Sequence, residues 1–381
     1  YGFENVYLQE VEVPHWTRGD FEYGYFVTSK GEKRPSGICA LGGSVGTQGQ
    51  ITAEVIEVKH LEELDSLGRE NVEGKIVFFN RAMDPLLINT GAAYGGAYDQ
   101  RGKGASAAAR YGAVGALVRS LTHALDTFPH TGGMHYDDSV FQIPAAAIST
   151  VHAHELSQAL KKDSHLKFTL NMDCKKFENK MQANVIGEIT GTEFPDKFIV
   201  VGGHLDSWDI GEGAHDDGAG IVQSIEVLRM YKALNKPLKH SLRVVLYINE
   251  ENGNNGGETY AERAKEDGVK HLAAVESDAG GFTPRGFRID ANDEDYEIFK
   301  TWQDLLSPYE LHVFRRGHAG VDIGPLKDGE IALFGLVPDG QRYFDYHHSN
   351  NDIFENVNKR ELELGAGSVA ALVYLIDKYL Q

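Results

Sequence analysis

Cysteine is nearly absent: Cys39 and Cys174 are the two in 381 residues. They are too few for a disulfide framework and form no C-x-x-C pair for metal or redox work. Two readings stay open for them. They are small buried hydrophobes, or, if neighbouring strands bring them within bonding reach, they close a long loop with a disulfide worth roughly 5 kcal/mol in the chain-entropy view. Basic residues are also scarce, with 37 Lys and Arg against 56 Asp and Glu and a net charge of −19. A surface this acidic repels phosphate backbones, which argues against nucleic acid as a partner. No uncharged apolar run reaches the ~18 to 20 residues that a bilayer crossing needs. The longest, residues 364–376, reads as a helix, so no membrane span is expected. Internal repeats, heptads and low-complexity tracts are missing as well. Neither an initiator Met nor a signal-peptide pattern precedes the first apolar alternation at Val6, so the chain reads as processed or truncated, with any export signal upstream.

What is present is ordinary for a folded protein: 41% hydrophobic, 24% charged and 10% aromatic residues, with length for two or three domains. Residues 6–13 and 21–27 alternate like half-exposed strands. Between about Ala40 and Met172 the texture changes to short strands near 52–58, 75–79, 113–118 and 142–148, with helices near 104–111 and 150–161. Beyond Asn184 the pattern is β, α, β, α, with apolar strands at 198–201, 244–248 and 272–275. Strands apolar on both faces imply a sheet covered by helices on both sides. Helices starting near Asp217 and spanning about 360–379 can cover it. The expected fold is α/β, a mixed, largely parallel sheet with helices on both faces, interrupted by an inserted β-rich domain. Residues 1–39 would hold the first strands of the main domain, 40–174 the insertion and 175–381 the rest.

Functional groups in α/β sheets collect past the C-terminal ends of strands. Here those positions read Gly203-His204-Leu205-Asp206-Ser207-Trp208, then His215-Asp216-Asp217-Gly218, Asn249-Glu250-Glu251-Asn252 and Glu276-Ser277-Asp278-Ala279. A further loop, Tyr346-His347-His348-Ser349-Asn350-Asn351-Asp352, precedes the last helix. Singly, each has a plainer use: a packed histidine, an Asp N-cap before a helix, a solvated pair of glutamates. Together at the strand ends of one domain, coincidence explains them poorly. Carboxylates gathered there would repel one another unless a cation compensates. A His, Asp and Glu set without thiolates suits zinc or a related divalent ion, and five ligands with one carboxylate bridging suit two ions better than one.

The order His204, Asp216, Glu250-Glu251, Asp278, His348 resembles the co-catalytic zinc exopeptidase family of the leucyl aminopeptidase and carboxypeptidase Q type. Val321-Asp322-Ile323-Gly324, His347-His348-Ser349, Pro14-His15-Trp16 and Pro129-His130-Thr131-Gly132 extend the likeness over nearly the whole chain. It implies that the insertion is a protease-associated domain, while the family's usual N-terminal helices are not recognisable. It implies two Zn2+ ions per chain, with His204 and Asp278 holding one, Glu251 and His348 the other, and Asp216 bridging. Glu250 would be the general base, and the Asp216–Asp217 peptide would be cis. Asp206, Asp217 and Asp352 are expected to support the ligands; Asp206 would accept an imidazole N–H of His204 and Asp352 would either do the same for His348 or cap a helix. His347 stands where many relatives have Tyr and could stabilise an oxyanion. His318 is expected to line the substrate pocket, and His215 to face away from the metals.

The resemblance therefore implies a secreted or periplasmic exopeptidase, a homodimer, acting on dipeptides or short peptides with a free N-terminus. A broader aminopeptidase, a non-catalytic receptor of the same fold and a one-metal glutaminyl cyclase are the rivals. Retention of all five ligand positions argues against the last two.

Overall fold

The computed structural model describes residues 1–28 and 30–380. The chain divides into two compact units. The first gathers residues 1–13, 179–343 and 352–381, and the second residues 14–178 and 344–351.

The first unit is built on an eight-stranded sheet in the order Glu4–Thr17, Lys175–Ile189, His240–Tyr247, Phe194–His204, Lys270–Glu276, Ala332–Pro338, Pro284–Asp290 and Val313–Arg316. Its centre is parallel: Phe194–His204 pairs in parallel with both His240–Tyr247 and Lys270–Glu276, which pairs in parallel with Ala332–Pro338. Every residue of His240–Tyr247 is buried, as a strand covered on both faces must be. The two-residue period shows which face each side chain serves. Ile199, Val201, Leu242, Val244 and Val275 join one core with Val227 and Leu228 of the helix Ala219–Ala233 and Leu372 and Ile376 of the helix Lys359–Tyr379. Val200, Val245, Tyr247 and Ala274, one position out of step, join the other core with Tyr260 of the helix Asn255–Glu266 and with Ile323 and Leu326. Among the described residues no helix is long and apolar enough to cross a membrane.

The second unit has its own eight-stranded sheet, ordered Lys33–Ser36, Glu22–Val27, Lys167–Met172, Ile51–Val58, Ile76–Phe79, Gly115–Arg119, Ala145–Ile148 and Ile38–Ala40. The run from Ile51–Val58 to Ala145–Ile148 is parallel, with antiparallel strands flanking it. Phe26, Val55, Phe78, Leu117 and Phe168 form its core with Ala153 and Leu156 of the helix Thr150–Leu160. The strand Glu22–Val27, expected with the main domain, pairs here with Lys167–Met172 and Lys33–Ser36. Close packing accounts for that partner: a Cβ on Gly24 would stand 2.8 Å from the Phe168 ring. This unit thus takes in Pro14 to Glu178, wider on both sides than the 40–174 read from sequence.

No disulfide joins Cys39 and Cys174, and both are buried. Cys174 packs into the same core as Phe168 and Met172, where burial pushes its thiol up to about 12. The small-hydrophobe reading holds.

Candidate metal centre

Parallel register brings the chemistry-bearing loops to one end of the sheet. Gly202 lies level with Glu276, and His204 with Tyr247. The chain leaves these strands as His204-Leu205-Asp206, Ser277-Asp278 and Asn249-Glu250-Glu251, so all three sets emerge from the C-terminal edge of the sheet.

His204 is 1% exposed. Its Nε2 stands 3.3 Å from Asp216 Oδ1 and 3.5 Å from Asp278 Oδ1. Nε2 and Asp278 Oδ1 are buried with no hydrogen-bond partner. Ligands about 2.0 to 2.2 Å from a tetrahedral ion are spaced about 3.3 to 3.6 Å apart, so these three atoms are set as neighbours in one coordination sphere. The other ring nitrogen explains their aim. Nδ1 donates to the backbone carbonyl of Asp206 at 2.8 Å, which turns Nε2 toward the carboxylates.

Asp206 supports the centre through both its backbone and its side chain. Its carbonyl accepts the imidazole N–H, while Oδ1 accepts the backbone N–H of Glu250 at 3.0 Å and Oδ2 that of Glu251 at 3.1 Å. One carboxylate thereby fixes the backbone of both glutamates. Trp208 Nε1 donates to Glu251 Oε2 at 2.6 Å and holds that side chain as well.

Asp352 plays the corresponding part for Asp216. It is 3% exposed and accepts the backbone N–H of His215 at 2.7 Å and of Asp216 at 3.1 Å. The Asp216–Asp217 peptide is cis, as the resemblance implies. Asp217 Oδ2 accepts the His204 N–H and Oδ1 the Gly220 N–H, tying the strand end to the first turn of Ala219–Ala233. His215 is occupied elsewhere, stacked on Phe282 at 4.3 Å and accepting the Gly281 N–H on Nδ1.

The electrostatics call for a cation. Burial opposes protonation of His204, yet Asp216 and Asp278 outweigh it and hold the imidazole well above its usual range. Burial, reinforced by the charge on Asp278, pushes the Glu250 carboxyl up to about 9 and the Glu276 carboxyl up to about 8. Burial likewise holds Asp217 well above the usual carboxylate range. Crowded acids with raised affinities for protons are what an added positive charge would relieve. The residues present therefore fit a divalent metal at His204, Asp216 and Asp278.

Glu276, to which the sequence reading gave no role, accepts the backbone N–H groups of Val321 and Ile323, both at 2.9 Å. It thereby anchors the loop that follows His318, which lines a cavity of about 360 Å³ with Asn254, Val321 and Lys327. Nothing in the motif Glu276-Ser277-Asp278 distinguishes in advance which acid takes backbone and which faces a metal.

His347 and His348 belong to the eight residues, 344–351, that fold with the second unit. Their cradle is the motif Pro129-His130-Thr131-Gly132. His130 Nδ1 donates to the His347 carbonyl at 2.6 Å, and the Thr131 N–H donates to the His348 carbonyl at 2.9 Å. The two imidazoles stack at 3.5 Å, with Tyr94 and Phe344 set edgewise against His347. His348 Nδ1 lies 3.4 Å from the Thr131 carbonyl, which directs Nε2 to the opposite side of the ring. Burial pushes His130 down to about 3, so it serves as a neutral donor.

Peptidase family M28 matches residues 184–373. Carboxypeptidase Q of Bos taurus is 33% identical over 376 residues, covering 98% of this chain and 77% of that protein. The Mus musculus carboxypeptidase Q is 34% identical over 377 residues with the same coverage. The crystal structure of a peptidase M28 precursor from Shewanella amazonensis SB2B superposes with a TM-score of 0.92 at 32% identity, over 99% of this chain and 84% of that one. A zinc aminopeptidase from Bacillus subtilis shares the fold, with a TM-score of 0.66 at 20% identity over 99% and 85%. With relatives this similar along nearly its whole length, and with His204, Asp216 and Asp278 grouped so that they could hold a metal ion, this chain belongs to peptidase family M28 and is a metallo-exopeptidase.

Proposed function

We propose that the protein hydrolyses the peptide bond of dipeptides or short peptides with a free N-terminus, using two zinc ions per chain. The observation that carries this reading is the trio of buried atoms on His204, Asp216 and Asp278 at the spacing of neighbouring ligands. Likeness to carboxypeptidase Q and to a zinc aminopeptidase supports the substrate class and the metal. His204 and Asp278 would hold one ion and Glu251 and His348 the other, with the Asp216 carboxylate available to both. Zinc at these residues would supply the positive charge that acidifies water and polarises a scissile carbonyl. Glu250 takes a proton from the attacking water on its carboxylate and passes it to the departing amine nitrogen. Asp206 keeps that carboxylate in place by gripping the backbone of both glutamates. His347 donates a ring N–H to the oxyanion, and His318 lines the pocket.

Metal analysis of the zinc-loaded protein, with kcat/KM for free dipeptides, longer peptides and aminoacyl anilides, tests this. Two equivalents of zinc and a preference for dipeptides are expected. Strong preference for anilides overturns the dipeptide assignment in favour of a broader aminopeptidase, and failure to cleave any of them overturns the catalytic reading. In Glu250→Gln, turnover should vanish with zinc retained; unchanged turnover removes Glu250 as the base.

A further inference from the structure

The sheet of the first unit ends on two guanidinium groups set side by side. In the parallel pairing of Pro284–Asp290 with the edge strand Val313–Arg316, Arg288 stands directly opposite Arg315. Residues level on neighbouring strands share a face, so the two side chains leave the sheet together. Both are exposed. Desolvation first, and the charge on Arg315 second, hold the Arg288 guanidinium below its ordinary value. Like charges directly opposite one another destabilise a strand pair.

The other face of the same strands is different. There Phe287, Ile289 and Phe314 turn into the core, and Arg316 meets Asp293 at 2.7 Å and lies over the Tyr296 ring at 4.1 Å, both from the helix Asp293–Leu306. On the face of Arg288 and Arg315 the acids are committed elsewhere. Glu276, two strands away in the same row, accepts the Val321 and Ile323 N–H groups, and Asp290 accepts Lys327 Nζ on both oxygens at 2.8 Å. Among the described residues no carboxylate forms an ion pair with either guanidinium. Shortage is not the reason in a chain with 56 Asp and Glu against 37 Lys and Arg. Charged side chains do protect sheet edges from pairing with other chains, which accounts for Arg315 but not for Arg288 on the second strand. The loop after Val313–Arg316 passes beside Arg288, where a Cβ on Gly317 would stand 3.7 Å from Arg288 Cδ. Beyond Val313–Arg316 the described sheet has no further strand, so an ion can reach both side chains from solvent.

We propose that Arg288 and Arg315 form a receptor for an oxyanion, a carboxylate or a phosphate group. Two adjacent planar forks of N–H donors match such oxygens in bidentate fashion, and the charge of the anion offsets their mutual repulsion. None of its members belongs to the metal centre, so the proposal stands apart from the dipeptide assignment.

The test follows thermal melting of the zinc-loaded full chain, freed of excess zinc, as chloride is exchanged at constant ionic strength for inorganic phosphate or for glutarate. Wild type should show a saturable rise in Tm with at least one of them, about 3 °C at a hundredfold excess over the dissociation constant. The anion that saturates at the lower concentration identifies the group as phosphate or carboxylate. Arg288→Gln and Arg315→Gln should each weaken that saturation about tenfold or more. Arg315→Glu supplies an acid within the protein: it should abolish the response and, at low ionic strength without either probe, melt above wild type. A wild-type Tm indifferent to both anions overturns the proposal. So does saturation retained in both glutamine variants, which would place the anion at the metals, and so does Arg315→Glu melting below wild type.

Discussion

Asp206→Asn changes one atom and strikes the support of both glutamates. In the native protein the two carboxylate oxygens accept the N–H groups of Glu250 and Glu251 at 3.0 and 3.1 Å. The Asn side chain keeps one acceptor and presents an NH₂ to the other N–H, donor against donor. One charge-assisted bond becomes neutral, a loss of about 1 kcal/mol, and the second is replaced by an unsatisfied N–H at about 1 to 3 kcal/mol. If Glu250 must hold its position in the transition state, the resulting ~2 to 4 kcal/mol appears in the barrier as a ~30- to ~1000-fold loss of kcat. Steady-state kinetics on a dipeptide, with thermal melting and zinc content measured on the same preparation, separates this from unfolding. A kcat within twofold of wild type, with two zinc ions bound, refutes the claim that Asp206 positions the base.

Three further outcomes are expected. Gly132→Ala would drive a methyl into Arg101 and His348 and should cost about 1 to 3 kcal/mol, read as a Tm lowered by roughly 2 to 4 °C per kcal/mol; an unaltered melt would show that the neighbours yield freely. His271 is held by burial at about 4, where it is neutral beside the Tyr260 hydroxyl at 2.9 Å. The unfolded chain binds that proton first, at a pKa of ~6.5, so this contribution is complete above pH 6.5 and is lost as pH falls toward 4, at most roughly 3 kcal/mol. Urea unfolding at pH 7.5, 5.5 and 4.5 measures it, and His271→Gln should flatten the slope. Removing metal by chelation should lower Tm, with recovery on adding zinc, because Asp216, Asp278 and Glu250 then face one another uncompensated; a melt indifferent to verified metal loss would count against the centre.

The central strands were legible because burial on both faces leaves a continuous apolar run, and the residues past their ends followed from chain direction. The pairing of Glu22–Val27 was not. Its alternation says that one face is buried but not by which sheet, and only the fit of Gly24 to Phe168 settles that. The candidate ligand positions could be read as residue types in order, whereas the atoms that orient them could not: nothing in the sequence says that Asp206 meets His204 through its backbone carbonyl.

The excursion of residues 344–351 limits how this enzyme can be re-engineered. Both flanks of that stretch fold with the first unit, while His347 and His348 take their backbone partners from His130 and Thr131 of the second. The second unit is therefore no detachable cassette. A chimera grafting a relative's version of it would have to carry a matching eight-residue stretch from far downstream, and a minimised catalytic core would leave two histidines stranded on an unsupported tether.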